Sequence, residues 1–221
     1  MLYSFPANSI NQPDPDSLVV GAGGVLYGAT QSGGSASLGS VYSLTPPASP
    51  GGDWTYTDIY DSMGNGDQRV PAALAIGAGG VLYGPSTVGG AGVCNLGLGC
   101  GTVFSLTPPD SPDGAWTETV LYSFAGKNDG AYPYGNVLIG RGGVIYGSTI
   151  GGDSASGQVY SLSPPASPGG AWTKTLLHHF PSNSTSGDYP NGLAMGADGV
   201  LYGTTAGGGT KFEGTVFQLK P

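Results

Sequence analysis

Apolar residues in this chain occur in short runs that glycine or proline interrupts. No long stretch keeps apolar residues at helical spacing without such a break, so the pattern predicts almost no α-helix. The runs are rich in tyrosine, valine, leucine and threonine, a composition typical of strands. Together with 43 glycines and 18 prolines among 221 residues, the pattern predicts many short strands joined by tight turns.

The same runs return along the chain in a fixed order. The run GVLYG, once GVIYG, occupies residues 24–28, 80–84, 143–147 and 199–203. The spacing of these copies indicates a repeat unit about 56 residues long. A second run, of the type GTVFSL, keeps step with it at residues 39–44, 101–106, 157–162 and 214–219. A run led by tryptophan occurs at residues 54–60, 116–124 and 172–180, and a short apolar segment follows Pro15, Pro71, Pro133 and Pro190. Each unit is therefore predicted to contain four strands.

The connections between these strands are also readable. Glycine-rich residues 21–24 and 196–199 separate the first strand from the second, and glycine supplies the positive φ that a tight hairpin needs. The segment PPASPGG at residues 46–52 separates the third strand from the fourth, where proline removes no donor that a ladder needs. Each unit is thus expected to be a four-stranded antiparallel meander.

Such sheets cannot bury two apolar faces alone, so successive units must stack around an axis. The predicted fold is all-β, a single β-propeller domain over residues 1–221 with four blades. The blades are expected at about residues 15–62, 71–124, 133–180 and 190–221, the last joined by residues 1–5.

The two ends of the chain suggest how the propeller closes. The last copy stops before an outer strand, while LYSF at residues 2–5 repeats LYSF at residues 121–124. We therefore expect the N-terminal strand to complete the last blade, leaving no open edge. The alternative is that two chains close on one another as an eight-bladed homodimer. A four-bladed monomer is the expected form.

Charge and hydropathy exclude two classes of partner. Lysine and arginine total 6 against 14 acidic residues, a net charge of −8 that would repel nucleic acid. No apolar run approaches the roughly 20 residues that span a bilayer, so no membrane insertion is expected. The N-terminus lacks the features of a signal peptide and begins inside the repeat, so a mature or trimmed form without its export signal is expected.

The two cysteines, Cys94 and Cys100, lie in a glycine-rich stretch that lets them approach. A loop disulfide is expected, and the alternative is two free thiols or half of a metal site. A disulfide would indicate an oxidising compartment, so the predicted location is extracellular or at the cell surface. The stretch 88–101 joins the second and third strands of its blade and is expected on the same face as the connections between blades.

The recurring motifs resemble those of a known family. The clearest are LYSF at 121–124, GDYP at 187–190, GVLYGTT at 199–205 and GTVFQL at 214–219. This pattern is similar to the GloVer-type tandem repeat of bacterial secreted and surface proteins, and the resemblance covers the whole chain. It implies an extracellular, propeller-like protein with no general biochemical activity assigned. The motifs mark strands and turns rather than a chemical site.

No catalytic constellation stands out. His178 and His179 align with Tyr122 and Ser123 of the preceding copy, and neighbours on a strand point to opposite faces, so a structural role is expected for the pair. No nucleophile elbow and no phosphate-binding loop is present, and residues 33–35 and 207–209 are interpreted as turns. The sequence predicts no enzyme, no catalytic residue, no metal site and no resident cofactor.

Two sets of residues in the loops between blades are candidates for ligand binding. The acidic set would gather around one mouth of the channel and hold a cation such as Ca²⁺, or would cap turn amides instead: Asp16, Asp67, Asp129 and Asp188. The aromatic set would stack on a sugar ring, or would pack on the following proline: Tyr132, Tyr134 and Tyr189.

The first functional hypothesis is a secreted, non-catalytic module that binds carbohydrate or another cell-surface ligand through these loops. The alternative is a structural repeat module that assembles larger surface proteins.

Overall fold

A computed structural model describes residues 1–5, 15–64, 68–94, 97–111, 114–152, 155–182 and 185–221. In these ranges the chain forms strands and short 3-10 turns and no α-helix. The strands are β1 (Pro15–Val20), β2 (Leu26–Thr30), β3 (Ser40–Thr45), β4 (Thr55–Asp61), β5 (Gln68–Pro71), β6 (Ala75–Ile76), β7 (Leu82–Gly89), β8 (Thr102–Thr107), β9 (Thr117–Ser123), β10 (Ala131–Ile139), β11 (Ile145–Gly151), β12 (Ala155–Ser163), β13 (Thr173–Pro181), β14 (Asp188–Met195), β15 (Leu201–Gly207) and β16 (Thr215–Leu219). The 3-10 turns are Ala22–Gly24, Ala78–Gly80, Lys127–Asp129 and Arg141–Gly143.

The strands form four successive antiparallel sheets, arranged as the blades of a β-propeller. The orders are β1-β2-β3-β4, then β5 and β6 with β7-β8-β9, then β10-β11-β12-β13, then β14-β15-β16. Each sheet is a meander because consecutive strands pair; in the second blade β5 and β6 both pair with β7 and together take the place of the first strand. The predicted all-β propeller of four blades is confirmed.

The turns form where the sequence places glycine and proline. In the first hairpin Gly23 and Gly24 have φ of 66° and 77°, the left-handed backbone that glycine adopts without steric cost. In the proline-rich turn of the same blade, the amide of Gly52 donates to the carbonyl of Ser49 at 3.2 Å. The equivalent turns of the second and third blades repeat this bond.

The core lies between blades as well as within them. A valine of the third strand in one blade joins the same apolar cluster as the first leucine or valine after the inner-strand proline of the next blade. The pairs are Val41 with Leu74, Val103 with Val137, and Val159 with Leu193. All six side chains are buried. The repeat therefore encodes an interface between neighbouring blades, not only a sheet.

A close contact between glycine and proline accompanies each of these interfaces. Gly39, Gly101 and Gly157 have positive φ, and a Cβ at these positions would lie 2.3–2.7 Å from Cδ of a proline in the next blade. The three prolines are Pro71, Pro133 and Pro190. Glycine is required here both for its backbone conformation and for the space that proline fills.

The prediction that residues 1–5 form the outer strand of the fourth blade is wrong. Residues 1–5 form no strand, and among the described residues the fourth blade contains β14, β15 and β16 and no outer strand. Tyr3 instead stacks on Tyr56 of the first blade at 5.0 Å between ring centroids, and Phe5 lies edge-on to Tyr42 at 5.3 Å.

A repeated aromatic contact explains this position. At the end of an outer strand, the aromatic ring packs on the third strand of the following blade: Phe124 on Tyr160, and Phe180 on Phe217. Phe5 makes the same contact with Tyr42 and so lies where the outer strand of a preceding blade would end. The contact is satisfied without pairing to β16. Leu18 in the first blade and Val216 in the fourth remain exposed, so these two blades do not cover one another.

Candidate functional site

The loop face is the end of the propeller formed by the connections between blades, residues 124–130 and 185–187, and by the connections between second and third strands, such as residues 90–94 and 97–101. In an antiparallel meander these connections lie at the same end of the blade. The structure agrees, because the sulfur atoms of Cys94 and Cys100 lie 2.8 and 3.0 Å from where a Cβ on Gly126 would be. The expectation that residues 88–101 lie beside a connection between blades is confirmed.

Cys94 and Cys100 form the predicted disulfide. Cys100 is fully buried, and its carbonyl accepts a hydrogen bond of 2.8 Å from the amide of Tyr132 in the third blade. This hydrogen bond links the disulfide-containing loop of the second blade to the first residues of β10. The free-thiol and metal alternatives for this pair are excluded in the structure.

We expect removal of this disulfide to lower the free energy of unfolding by about 2 kcal/mol, because the bridge closes a small loop in the unfolded chain. The variant is Cys94→Ala with Cys100→Ala, compared with the oxidised chain by urea denaturation. Reducing the unmodified chain should give a similar loss, and an unchanged midpoint in both experiments would contradict the prediction.

Asp129 holds the loop between the second and third blades. Its Oδ1 accepts the hydroxyl of Tyr122 at 2.7 Å, and its Oδ2 accepts the amide of Ala125 at 2.8 Å. Nζ of Lys174, in the outer strand of the third blade, lies 3.0 Å from Oδ1. Burial, and then Asp129, raise the pKa of Tyr122, so this hydroxyl stays a donor. Both carboxylate oxygens thus have protein partners.

Lys174 is itself bound on several sides. Its ammonium donates to Oε1 of Gln158 at 3.2 Å and lies 5.5 Å from the centroid of the Phe124 ring. The side-chain amide of Gln158 in turn donates to the carbonyl of Asn128 at 2.9 Å. Side chains of the third blade therefore fix the loop that leads into that blade.

The other acidic candidates occupy different environments. Asp188 begins β14 and is buried, and no group in the described ranges donates to its Oδ1. Asp16 lies exposed on β1 beside Leu2 and Tyr3, at the uncovered face of the first blade. Asp67 lies outside the described residues. Asp129, Asp188 and Asp16 therefore do not share one environment. The described ranges contain no cluster of three or more His, Cys, Asp or Glu side chains that could hold a metal.

The tyrosine candidates share an unusual backbone. Tyr132 and Tyr189 stand at the same position of successive blades, each directly before a proline, and have φ of 57° and 54°. Tyr132 is half-buried and packs over Gly151, whereas the side chain of Tyr189 is 49% exposed. Tyr134 follows on β10, and its carbonyl accepts a hydrogen bond of 3.2 Å from the hydroxyl of Ser148.

The histidine pair lies on the outer strand β13, as the alignment of the repeats predicts. His178 pairs with Val159 and His179 with Gln158. The ring of His178 lies edge-on to Phe180 at 4.5 Å, and burial lowers its pKa. This packing fits the structural role expected for His178.

A family model described as the Gloeobacter/Verrucomicrobia repeat matches residues 1–217. The chain belongs to this repeat family. The resemblance drawn from the sequence motifs is thus confirmed over nearly the whole chain. No curated protein is significantly similar in sequence.

Solved structures share the fold of this repeat protein at low identity. They include a candidate gluconolactonase (19% identity, TM-score 0.57, 94% of this chain and 64% of that chain). A gluconolactonase from Xanthomonas campestris shows 14% identity and a TM-score of 0.53 over 94% of this chain and 62% of that chain. The PQQ-bound aldose sugar dehydrogenase from Streptomyces coelicolor shows 13% identity and a TM-score of 0.55 over 96% and 62%. The chain thus spans less than two thirds of each of these structures, and the likeness shows the propeller fold alone.

The sequence pattern did not identify two residues whose side chains fix contacts where one blade meets the next. Lys174 is one of them. The feature of the sequence that could have identified it is that it is the only lysine or arginine in the tryptophan-led run at residues 172–180. Asn136 is the other: its side chain donates to the carbonyl of Leu193 and accepts from the amide of Leu193, each at 2.8 Å. Its signal is one extra residue in β10. Leu138, which pairs with Tyr146, lies five positions after Pro133, whereas Ala194, which pairs with Tyr202 in the next blade, lies four positions after Pro190.

Proposed function

We propose that the chain is a non-catalytic binding module and that the loop face is its ligand site. The observation that carries the proposal is the left-handed backbone of Tyr132 and Tyr189. This conformation costs an L-residue roughly 1–2 kcal/mol, and strain of this kind concentrates at binding sites. Two successive blades hold a tyrosine in this strained position at the start of the inner strand, next to the loop face.

Tyr189 is the residue most able to contact a ligand. Half of its side chain is accessible, and its backbone is fixed between Asp188 and Pro190 at the start of β14. An aromatic side chain on a fixed backbone has few rotatable bonds to order on binding, and its face suits the apolar C–H face of a sugar. Carbohydrate is therefore the proposed ligand class.

Calcium is not needed for this mode of binding. Both oxygens of Asp129 have protein partners, and Asp188 is buried. Binding through Tyr189 should accordingly persist in a chelator.

The proposed location is extracellular or at the cell surface. The disulfide between Cys94 and Cys100 supports this location, because such bridges persist in oxidising compartments. Across the described parts of the chain, no helix has the length and apolar character to cross a membrane.

A glycan array followed by calorimetry tests the function. We expect binding of at least one glycan, and Tyr189→Ala should weaken it at least about tenfold, equivalent to about 1.4 kcal/mol. The matched control is Tyr202→Ala, which removes a tyrosine of similar exposure, 42%, on the fourth-blade sheet rather than on the loop face. No glycan above background, or an equal loss in the control, would contradict the proposal.

A further inference from the structure

The first and fourth blades each present an apolar face that their counterparts inside the propeller bury. The fourth-blade face consists of Tyr202, Thr204 and Val216, and the first-blade face consists of Leu18 and Val20. We propose that the fourth-blade face of one copy of this chain docks on the first-blade face of a second copy, head to tail. This inference is independent of the ligand site on the loop face.

The fourth-blade face is identified by comparing equivalent valines. Val41, Val103 and Val159 have 0% exposure, because each packs against the following blade. Val216 occupies the same position of the repeat and is 80% exposed. A shallow cavity of about 360 Å³ lies beside it, lined in part by Tyr202, Thr204 and Val216. The fourth blade is therefore built to receive a following blade.

The first-blade face shows the complementary difference. Leu74, Val137 and Leu193 are the first leucine or valine after the inner-strand proline of their blades, with exposures of 4%, 3% and 6%. Leu18 occupies this position in the first blade and is 53% exposed. A cavity of about 350 Å³ lies beside it, lined in part by Leu2, Tyr3 and Leu18. The first blade is accordingly built to receive a preceding blade.

The internal interfaces show which residues would meet. Val41 shares a cluster with Leu74, Val103 with Val137, and Val159 with Leu193. By the same rule Val216 of one copy would meet Leu18 of the other. Docking of this kind buries apolar area that the isolated chain leaves in water.

The contact between a glycine of one blade and a proline of the next is also incomplete at the first and fourth blades. Gly214 has φ of 94° like its counterparts, but the three atoms nearest to a Cβ there belong to Thr205 and Ala206 of its own blade, and none belongs to a proline. Pro15, the counterpart of Pro71, is exposed on β1. Gly214 thus has room for a proline, and Pro15 is the proline at the other end of the chain.

The edge of the fourth blade indicates where the N-terminal residues of the second copy would lie. In the second blade, Val103 pairs with Tyr122 of the outer strand. In the part of the chain that the structure describes, Val216 of the fourth blade has no such outer-strand partner. In a docked pair, Tyr3 of the second copy would lie beside Val216, because Leu2 to Phe5 already take the position of a preceding outer strand on the first blade.

A second copy fits because one sequence carries both halves of the interface. The two faces differ, so the contact is head to tail, and two such contacts close a ring related by a two-fold axis. That ring would contain eight blades, within the range that propellers adopt.

Light scattering across a concentration series tests the proposal. We expect a concentration-dependent species of twice the 21.9 kDa chain mass. Leu18→Glu and Val216→Glu should each leave only monomer, since a buried unpaired charge opposes docking. The control Val93→Glu changes a valine of 89% exposure on the disulfide loop and should leave association unchanged. All three substitutions are at exposed positions, and circular dichroism should show an unaltered fold.

Mixing the two face variants gives a sharper result. The Leu18→Glu chain keeps an intact fourth-blade face, and the Val216→Glu chain keeps an intact first-blade face. Their mixture should form a one-to-one heterodimer that neither chain forms alone. Monomer at every concentration, association that survives both substitutions, or a mixture that stays monomeric would overturn the proposal.

Discussion

Replacing Leu193 by alanine is expected to lower the free energy of unfolding by about 2–5 kcal/mol, the usual range for a buried leucine. Leu193 is buried between the third and fourth blades in a cluster with Val159, Phe180 and Leu201. Truncation would leave a cavity in this interface. Leu18→Ala changes the same position of the repeat where the side chain is exposed, and should cost about 0.5 kcal/mol or less.

Urea denaturation of both variants measures the difference. It must be done at a protein concentration where light scattering shows monomer, because docking through Leu18 would add to the apparent stability. If the slope of the unfolding free energy against urea concentration is the same in both variants, their unfolded states expose the same surface. Similar losses in the two variants would show that contacts between blades are not the source of stability.

The repeat made most of the fold predictable. The residue types at turns and strands recur in each copy of the repeat. An error in predicting the strands of one copy is therefore corrected by comparison with the others. Gly23 and Gly24 adopt the predicted positive φ, and the runs at 39–44 and 101–106 contain the predicted third strands. Local signals of this kind fix a blade because a meander pairs only neighbours in sequence.

Closure was not predictable from the same signals. The motif LYSF identifies residues 2–5 as the end of an outer strand, but such a strand contacts two blades, its own and the following one. Phe5 satisfies the contact with the following blade on Tyr42, and among the described residues no strand pairs with the outer edge of β16. Whether the first blade also reaches the fourth depends on the angle between blades, which the pattern of a single repeat does not specify.

The environment of the loop carboxylates was equally hidden from the sequence. Asp129 and Asp188 each precede an inner-strand proline by a few residues, so they look alike in sequence. Asp129 falls in a 3-10 turn and pairs with Lys174, 45 residues away. Asp188 falls inside β14, where its side chain turns toward Gly207 and is buried. A shift of one or two positions at a strand boundary decides the environment.

Gly101→Ala is the second change for which we expect a large loss, about 2–5 kcal/mol. The φ of Gly101 is 96°, which costs an alanine roughly 1–2 kcal/mol. The new Cβ would also lie 2.3 Å from Cδ of Pro133 and 2.7 Å from the carbonyl oxygen of Ser86, and such overpacking costs about 1–3 kcal/mol. Gly142→Ala is the control, because Gly142 has φ of 68° and nothing within 4 Å of its Cβ position. It should lose only the backbone contribution.

A double substitution separates the two causes. Pro133→Ala removes the Cδ atom that the new methyl group would strike, so the combination of Gly101→Ala with Pro133→Ala should cost less than the sum of the single changes. The coupling should be about 1 kcal/mol or more, since residues in contact are not additive. The same cycle between Gly142 and Pro133 should give no coupling. If the first cycle were also additive, the contact between glycine and proline would not hold the second and third blades together, and backbone conformation alone would account for the glycine at this position.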